Sequence, residues 1–199
     1  MNPAKIRLSE KEMELVTNAE WILTKNDILQ KVHSLLGEIA DEQKKILMQF
    51  HNRLPTEVLA TTPKISKGEN YKGLPYLVLD YPRYFDKENV CAIRTFFWWG
   101  NFFSITLHLS GRYKKQYEEK IISTIHESER FICIHDSEWE HHFEPGNYAA
   151  LDKMSTAEIR QRVNEKNFLK LAQKIPLEQW DESKIILPVF FRQFLALLD

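Results

Sequence analysis

The sequence contains little cysteine, glycine and proline, and each shortage excludes a class of protein. Its 199 residues include two cysteines, six glycines and eight prolines. Cys91 and Cys133 lie far apart and outside any CxxC pair, which excludes a disulfide framework and indicates a reducing compartment. The low glycine and proline content, together with 43% hydrophobic residues, excludes a collagen-like or disordered chain.

The sequence also lacks an excess of either charge and an uninterrupted apolar run. Lysine and arginine number 27 against 28 aspartates and glutamates, so no overall field attracts nucleic acid or an anionic membrane. The most apolar stretch, residues 185–198, contains Pro188 and Arg192 and is shorter than the ~20 residues of a membrane span. The first ten residues are too polar for a signal peptide. We therefore expect a cytoplasmic protein with neither a nucleic-acid nor a membrane partner.

Helical spacing of apolar residues predicts a pair of helices over residues 9–54. A capping box of the Ser-x-x-Glu form starts at Ser9 and begins a first helix that we expect to end near Leu23. A second helix carries a long apolar stripe with lysines and glutamates on its other side, and Pro55 stops it. Residues 61–73 contain one proline and two glycines without any periodicity, which predicts a loop.

Short apolar or alternating runs then predict an antiparallel sheet of about five strands. The predicted strands cover Pro75–Tyr81, Val90–Trp98, Phe102–Leu109, Phe131–Ile134 and Trp139–Phe143. One amphipathic helix, with apolar residues every three or four positions from Tyr113, is inserted after the third strand. Because strands and helices do not alternate as βαβ units, the fold class is α+β. The sheet with its inserted helix covers residues 75–145 of a predicted single domain, residues 1–199.

The last part of the chain, residues 155–199, is predicted as a helical tail. A second capping box begins at Ser155, and Pro176 and Pro188 divide the tail into pieces. The last helix is apolar nearly all round, so it must be buried in the domain or against a partner. Burial in the domain is the simpler interpretation, and a homodimer through this helix is the alternative.

The register of the hairpin around Gly100 decides which side chains share a face of the sheet. With a three-residue loop, Phe97 faces the buried side, while Trp98 and Arg94 share the other face. A two-residue loop would place Arg94 among leucines, which is costly unless a carboxylate meets it. We therefore favour the three-residue loop.

In this register the second face of the hairpin combines an aromatic wall with a few polar side chains, the composition of a small-ligand pocket. The candidate ligand-binding residues are Tyr76, Asp80, Arg94, Trp98, Ser104, Thr106 and His108. Arg94 offers a fork for a carboxylate or phosphate, and His108 offers a titratable donor. The sequence therefore predicts a binding or interaction protein whose partner is a small anionic molecule or a protein. An internal pair between Arg94 and Asp80 is the structural alternative.

A second candidate is the segment from His135 to His142, which is dense in residues that bind metals. In a strand the side chains alternate, which divides these ligands between two faces. Neither face has a familiar zinc spacing, so a solvated edge strand that binds no metal is the simpler interpretation. The alternative function is a metal-dependent hydrolase, and its candidate ligands are His135, Asp136, Glu138, His141 and His142.

No nucleophile elbow, Walker loop or dinucleotide fingerprint occurs in the sequence. We therefore expect no cofactor. The sequence leaves open whether the protein is an enzyme.

Overall fold

The computed structural model describes residues 6–125 and 129–199, and its centre is one antiparallel sheet. The helices are α1 (Glu10–Thr17), α2 (Ala19–Met48), α3 (Thr56–Leu59), α4 (Gly111–Thr124), α5 (Thr156–Glu165) and α6 (Trp180–Ala196). The strands are β1 (Lys64–Tyr71), β2 (Leu74–Phe85), β3 (Val90–Trp98), β4 (Phe102–Ser110), β5 (Phe131–Cys133), β6 (Tyr148–Ala150) and β7 (Phe168–Pro176). The predicted α+β class is confirmed, but the sheet of the described residues has seven strands rather than about five. Residues 1–5 and 126–128 of the expected domain lie outside the described part.

The strand order across the sheet is β1-β2-β3-β4-β7-β5-β6, and every neighbouring pair is antiparallel. Strands β1 to β4 follow one another along the chain. Strand β7 instead enters between β4 and β5 after the chain has formed α4, β5, β6 and α5. The sheet is therefore assembled from two distant parts of the chain, and β7 joins them.

Three strands, β1, β6 and β7, lie where the sequence predicts none. Strand β1 lies in the predicted loop 61–73 and pairs with β2 through the turn Lys72-Gly73, whose φ angles are 49° and 84°. A two-residue turn with positive φ at both positions matches the twist of paired strands, so it stabilises this hairpin. Strand β7 lies in the predicted helical tail, and Pro176 ends this strand instead of dividing a helix.

The predicted strand at Trp139–Phe143 is wrong. Residues 134–147 form turns and irregular backbone between β5 and β6, and we call them the cover segment. The pairing of β5 with β6 joins Cys133 to Tyr148 on either side of this segment. The cover segment crosses the sheet and is held there by side chains rather than by strand pairing.

The predicted helical pair at the start of the chain is present, with a different boundary. Helix α1 ends at Thr17 rather than near Leu23, and the extended residue Asn18 caps α2 by accepting a hydrogen bond from the backbone N–H of Trp21 at 3.2 Å. Asparagine favours this position because its short side chain satisfies an N–H group that the helix itself leaves free. Within the described residues, no helix combines the length and apolar character needed to cross a membrane.

Helices α2 and α6 pack on one face of the sheet, and the apolar side chains of that face form the main core. Alternate residues of the two central strands point into it, among them Ile93, Phe97, Phe103 and Leu107. One buried polar pair crosses this layer, in which the Gln43 amide of α2 donates to the Thr95 hydroxyl of β3 at 3.2 Å.

Helix α6 buries most of its large apolar side chains inside the fold. Phe191 and Phe194 have no solvent exposure, whereas Ile185 and Val189 are exposed. Pro188 lies inside the helix, so the expected division of the tail at this residue is wrong. A homodimer through α6 stays a prediction, with Ile185 and Val189 as its available apolar surface.

The burial of α6 leads to a stability prediction. Phe191→Ala should lower the free energy of unfolding by about 3–5 kcal/mol, because it removes a buried ring and leaves a cavity. The matched variant Ile185→Ala, on the exposed side of the same helix, should change it by less than about 1 kcal/mol. Urea denaturation measures both. Equal losses in the two variants would contradict the assignment of the buried face.

Candidate functional site

The favoured hairpin register is present in the structure. Trp98 of β3 lies opposite Phe102 of β4, which leaves a three-residue loop, and Arg94 lies opposite Thr106. On the other side of β3, Arg94 lies opposite Asp80 of β2. The predicted face therefore exists, and it is the face of the sheet opposite α2 and α6.

The cover segment lies across this second face. Phe143 stacks on Tyr148 with ring centroids 4.6 Å apart and meets Phe102 and Phe131 edge-on. Trp139 lies over His108 with ring centroids 5.5 Å apart. The aromatic side chains of the segment thus close the face from above.

Arg94 is held by two neighbours under the cover segment. Its Nε donates to Asp80 Oδ1 at 2.7 Å and its second terminal nitrogen to Asp80 Oδ2 at 2.9 Å, a bidentate pair. The remaining terminal nitrogen lies 3.0 Å from His141 Nε2. A guanidinium can only donate, so His141 must be neutral and accept through Nε2. The internal pair that the sequence offered as the alternative is therefore present.

His108 is paired with Glu138 of the cover segment. Its Nε2 lies 2.8 Å from the Glu138 carboxylate, and the imidazole is buried. Burial lowers the pKa of His108 more than this carboxylate raises it. The hydrogen bond from His108 in turn lowers the pKa of Glu138. The pair therefore combines a neutral imidazole donor with an ionised carboxylate.

Lys170 of β7 anchors the cover segment from below. The side chain is 1% exposed, and its Nζ donates to the backbone carbonyls of Glu138 at 2.8 Å and Glu140 at 2.5 Å. Its ammonium also lies 5.6 Å from the centre of the Tyr148 ring. Burial lowers the pKa of Lys170 to about 8. A buried ammonium is costly without such acceptors, so Lys170 and the path of the segment stabilise each other.

Tyr71, the last residue of β1, makes a second anchor. Its hydroxyl accepts from the backbone N–H groups of His141 at 2.7 Å and His142 at 3.1 Å, and it donates to the Glu140 carboxylate at 3.0 Å. One donor and two acceptor positions are all that a tyrosine hydroxyl has. Burial raises its pKa to about 12.

The remaining predicted ligand-binding residues form the apolar end of the same face. Trp98 is buried, and its indole N–H donates to the Tyr71 carbonyl at 3.2 Å. The Tyr76 ring lies against Phe96, at a centroid distance of 5.7 Å, and over Gly68 of β1, where a Cβ would meet the ring at 2.4 Å. Ser104 is buried beside them. These residues pack the cover rather than line an open pocket.

The space left between the sheet and the cover segment is small. A cavity of about 10 Å³ remains there, about the room that one water molecule needs. Its lining residues are Phe85, Ala92, Arg94, Thr106, His108, His141 and Lys170. A carboxylate or phosphate at Arg94 would have to displace Asp80 or the cover segment. Anion binding at this face stays a prediction.

The structure separates the candidate metal ligands of the cover segment. His141 and Glu138 point to the sheet and meet Arg94 and His108. The other three candidates have different partners. His135 Nδ1 accepts from the Ser137 N–H at 3.0 Å, and Asp136 pairs with Lys166 at 2.5 Å. His142 lies 3.4 Å from Glu140 and from Glu144. Among the described residues, no group of three or more His, Cys, Asp or Glu side chains lies together where it could hold a metal ion.

Sequence reasoning missed the two anchors of the cover segment, Lys170 and Tyr71. Both lie in strands that it assigned to other structures. The alternation of Leu169, Leu171 and Ile175 around Lys170 is a strand signal that could have found β7. The Lys72-Gly73 turn could likewise have placed Tyr71 at the end of a strand.

A second feature is the N-terminal helical arm, which we define as residues 6–24. Every one of these residues is exposed, and α1 has no buried residue. Eight of the thirteen exposed large hydrophobic side chains of the described residues lie in this arm. They are Ile6, Leu8, Met13, Leu15, Val16, Trp21, Ile22 and Leu23. The sequence predicted a helical pair here. It did not predict that the first part of this pair would have no buried residue.

A cleft of about 360 Å³ lies where the arm meets the body of the protein. Trp21, Lys25 and Ile28 line it from one side of α2, and Trp99, from the turn after β3, lines it too. The Lys25 ammonium is paired with Glu69 of β1 at 2.7 Å. The apolar walls of the cleft are Trp21, Ile28 and Trp99, and its other lining residues are the polar Asn18, Glu20 and Thr24 and the paired Lys25.

Comparison with protein-family models, curated proteins and solved structures found no match.

The anchoring role of Lys170 leads to a second stability prediction. Lys170→Met should lower the free energy of unfolding by about 2 kcal/mol, because two part-buried carbonyls lose their donor. It should also speed proteolytic cleavage within residues 134–147. Lys115→Met is the control, since Lys115 is exposed on α4, and it should leave the cleavage rate unchanged. Urea denaturation measures the first effect and limited proteolysis measures the second. If Lys170→Met is cleaved no faster than the wild type, Lys170 does not anchor the segment.

The neutral state of His141 predicts a pH dependence. Burial, Lys170 and Arg94 hold the pKa of His141 well below 6.5, so the unfolded chain binds this proton more readily. Stability should therefore be complete above about pH 7.5 and fall as the pH drops, by at most about 1.4 kcal/mol per pH unit from this group.

His141→Gln keeps an acceptor for Arg94 but does not titrate, so it should flatten the decline between about pH 7.5 and 5.5. His33→Gln is the control, because that side chain is exposed on α2. Denaturation at each pH gives the slopes. An unchanged slope in His141→Gln would show that His141 binds protons equally in the folded and unfolded chain, which would contradict its neutral state.

Proposed function

We propose that this chain is a protein-interaction module that binds a partner protein through its N-terminal helical arm. The observation that supports this most directly is the exposure of all nineteen residues of the arm together with eight large apolar side chains. Single exposed apolar residues are ordinary, but a continuous group of them is typical of an interaction site.

The energetics of the arm also support binding. Val16 is 68% exposed, Leu23 60% and Trp21 51%, so each loses much of its contact with water when a partner covers it. Full burial of such a side chain is worth about 1.5–3 kcal/mol. Several of them together can offset the loss of translational and rotational freedom on association. The arm therefore has enough apolar surface for a specific complex.

The covered face supports a ligand-binding function less well. Asp80 and His141 already occupy the donors of Arg94, and the remaining cavity has room for about one water molecule. The hydrolase alternative has less support still, because its candidate ligands point in different directions. Cytoplasmic location remains part of the proposal, and two free, buried cysteines agree with a reducing compartment.

Loss of the apolar arm surface should abolish partner binding. In Val16→Ser/Trp21→Ser/Leu23→Ser we expect a change of less than about 1 kcal/mol in the free energy of unfolding, because all three side chains are exposed. Cross-linking in cells at native expression level should recover a partner with the wild type and lose it with this arm variant. The purified partner should then bind the arm variant at least tenfold more weakly.

The matched control is Ile185→Ser/Val189→Ser, which removes exposed apolar side chains of α6. It should retain the partner. A partner that the arm variant binds as well as the wild type does, or one that only the α6 variant loses, would contradict this function.

A further inference from the structure

Resting on the interaction function proposed above, we infer that the arm binds a basic amphipathic helix of the partner, which places an apolar side chain in the cleft between Trp21 and Trp99. The exposure of the arm does not by itself indicate the charge of the partner. It also does not indicate that the partner places a side chain in this cleft. Two independent features of the described residues, the charge of the arm and the shape of the cleft, carry the inference.

The arm has more acidic than basic side chains, although the chain as a whole is nearly neutral. The formal charge of the chain is −1. Within residues 6–24 the arm carries four exposed glutamates and two exposed basic residues, a formal charge of −2: Glu10, Glu12, Glu14, Glu20, Arg7 and Lys11. Lys25, which follows in α2, is paired with Glu69. An apolar surface surrounded by carboxylates favours a partner with lysine or arginine around its own apolar stripe.

The cleft supplies the place for an anchoring side chain. Trp21, Lys25 and Ile28 follow one another at the spacing of a single helix face, and Trp99 comes from a different part of the chain. Its volume of about 360 Å³ is at the lower end of the range for ligand pockets. Interfaces concentrate their binding energy where an aromatic or aliphatic anchor fills such a site. A leucine, methionine or phenylalanine of the partner fits this chemistry.

The same charges argue against a second copy as the occupant. In a symmetric dimer through the arm, the same surface of both copies meets, so two surfaces with a formal charge of −2 each would meet. Like charges at an interface oppose binding and select against that partner. Strand addition is also disfavoured, because the arm presents helix side chains rather than free backbone hydrogen-bonding groups. A basic helix is the occupant that satisfies both the charge and the apolar surface.

The test uses synthetic peptides and the full-length chain. The probe is a labelled helical peptide of about 18 residues, with leucine at helical spacing and lysine elsewhere. One control peptide has glutamate in place of every lysine, and another has the same composition in scrambled order. Fluorescence anisotropy measures each Kd. We expect the lysine peptide to bind at least tenfold more tightly than either control at about 50 mM salt, with a smaller advantage at about 500 mM.

Two variants test the two features separately. Glu10→Lys/Glu14→Lys should remove the preference for the lysine peptide, whereas Glu88→Lys/Asp152→Lys, with the same charge change at exposed positions outside the arm, should keep it. Trp21→Ala should weaken binding of the lysine peptide at least tenfold by removing one wall of the cleft. Equal binding of lysine and glutamate peptides, or an unchanged Kd in Trp21→Ala, would overturn the inference.

Failure of this inference and failure of the proposed function give different results. If the arm variant loses its cellular partner but the peptides show no charge preference, the arm binds a protein of other chemistry. If light scattering shows a concentration-dependent dimer that the arm variant lacks, the occupant is a second copy and the inference is wrong. If substitutions in the arm change neither the binding of the peptides nor the recovery of a cellular partner, the proposed function is wrong as well.

Discussion

The buried ammonium of Lys170 is the constraint on which the second face of the sheet depends. It lies in β7, the strand that joins the two parts of the sheet, and it is almost fully removed from water. A charge in that position needs acceptors, and the carbonyls of Glu138 and Glu140 provide them. Those two bonds require the cover segment to cross the sheet directly above Lys170. The route of fourteen irregular residues thus follows from the need to satisfy one cation.

The two faces of the sheet are stabilised in different ways. The face under α2 and α6 is an ordinary apolar core, in which packing supplies most of the free energy. The opposite face has polar side chains whose partners come from the cover segment or the neighbouring strand: Arg94 with Asp80 and His141, and His108 with Glu138. These ionisable groups therefore satisfy one another without a ligand. The exposed apolar arm is left as the surface whose chemistry calls for a partner.

Local sequence signals predicted the parts of the structure that depend on near neighbours. The hairpin of β3 and β4 has its expected three-residue loop, since burying Arg94 on the core face would have been too costly. The expected pairing of Arg94 with Asp80 follows from the register of β2 against β3. Both capping boxes, at Ser9 and Ser155, begin helices as predicted, because a capping box involves only four consecutive residues.

The sequence by itself therefore determined the α+β class, the antiparallel hairpin and the starts of several helices, all of which rest on periodicity or on contacts between near neighbours. Only the tertiary structure decided that residues 168–176 form a strand in the middle of the sheet, since that strand is stabilised by β4 and β5, far away along the chain. The path of the cover segment was decided in the same way, by hydrogen bonds that Lys170 donates and Tyr71 accepts across long sequence separations. Exposure of the arm also belongs to the tertiary structure, because an amphipathic pattern specifies an apolar face but not whether the fold provides anything to cover it.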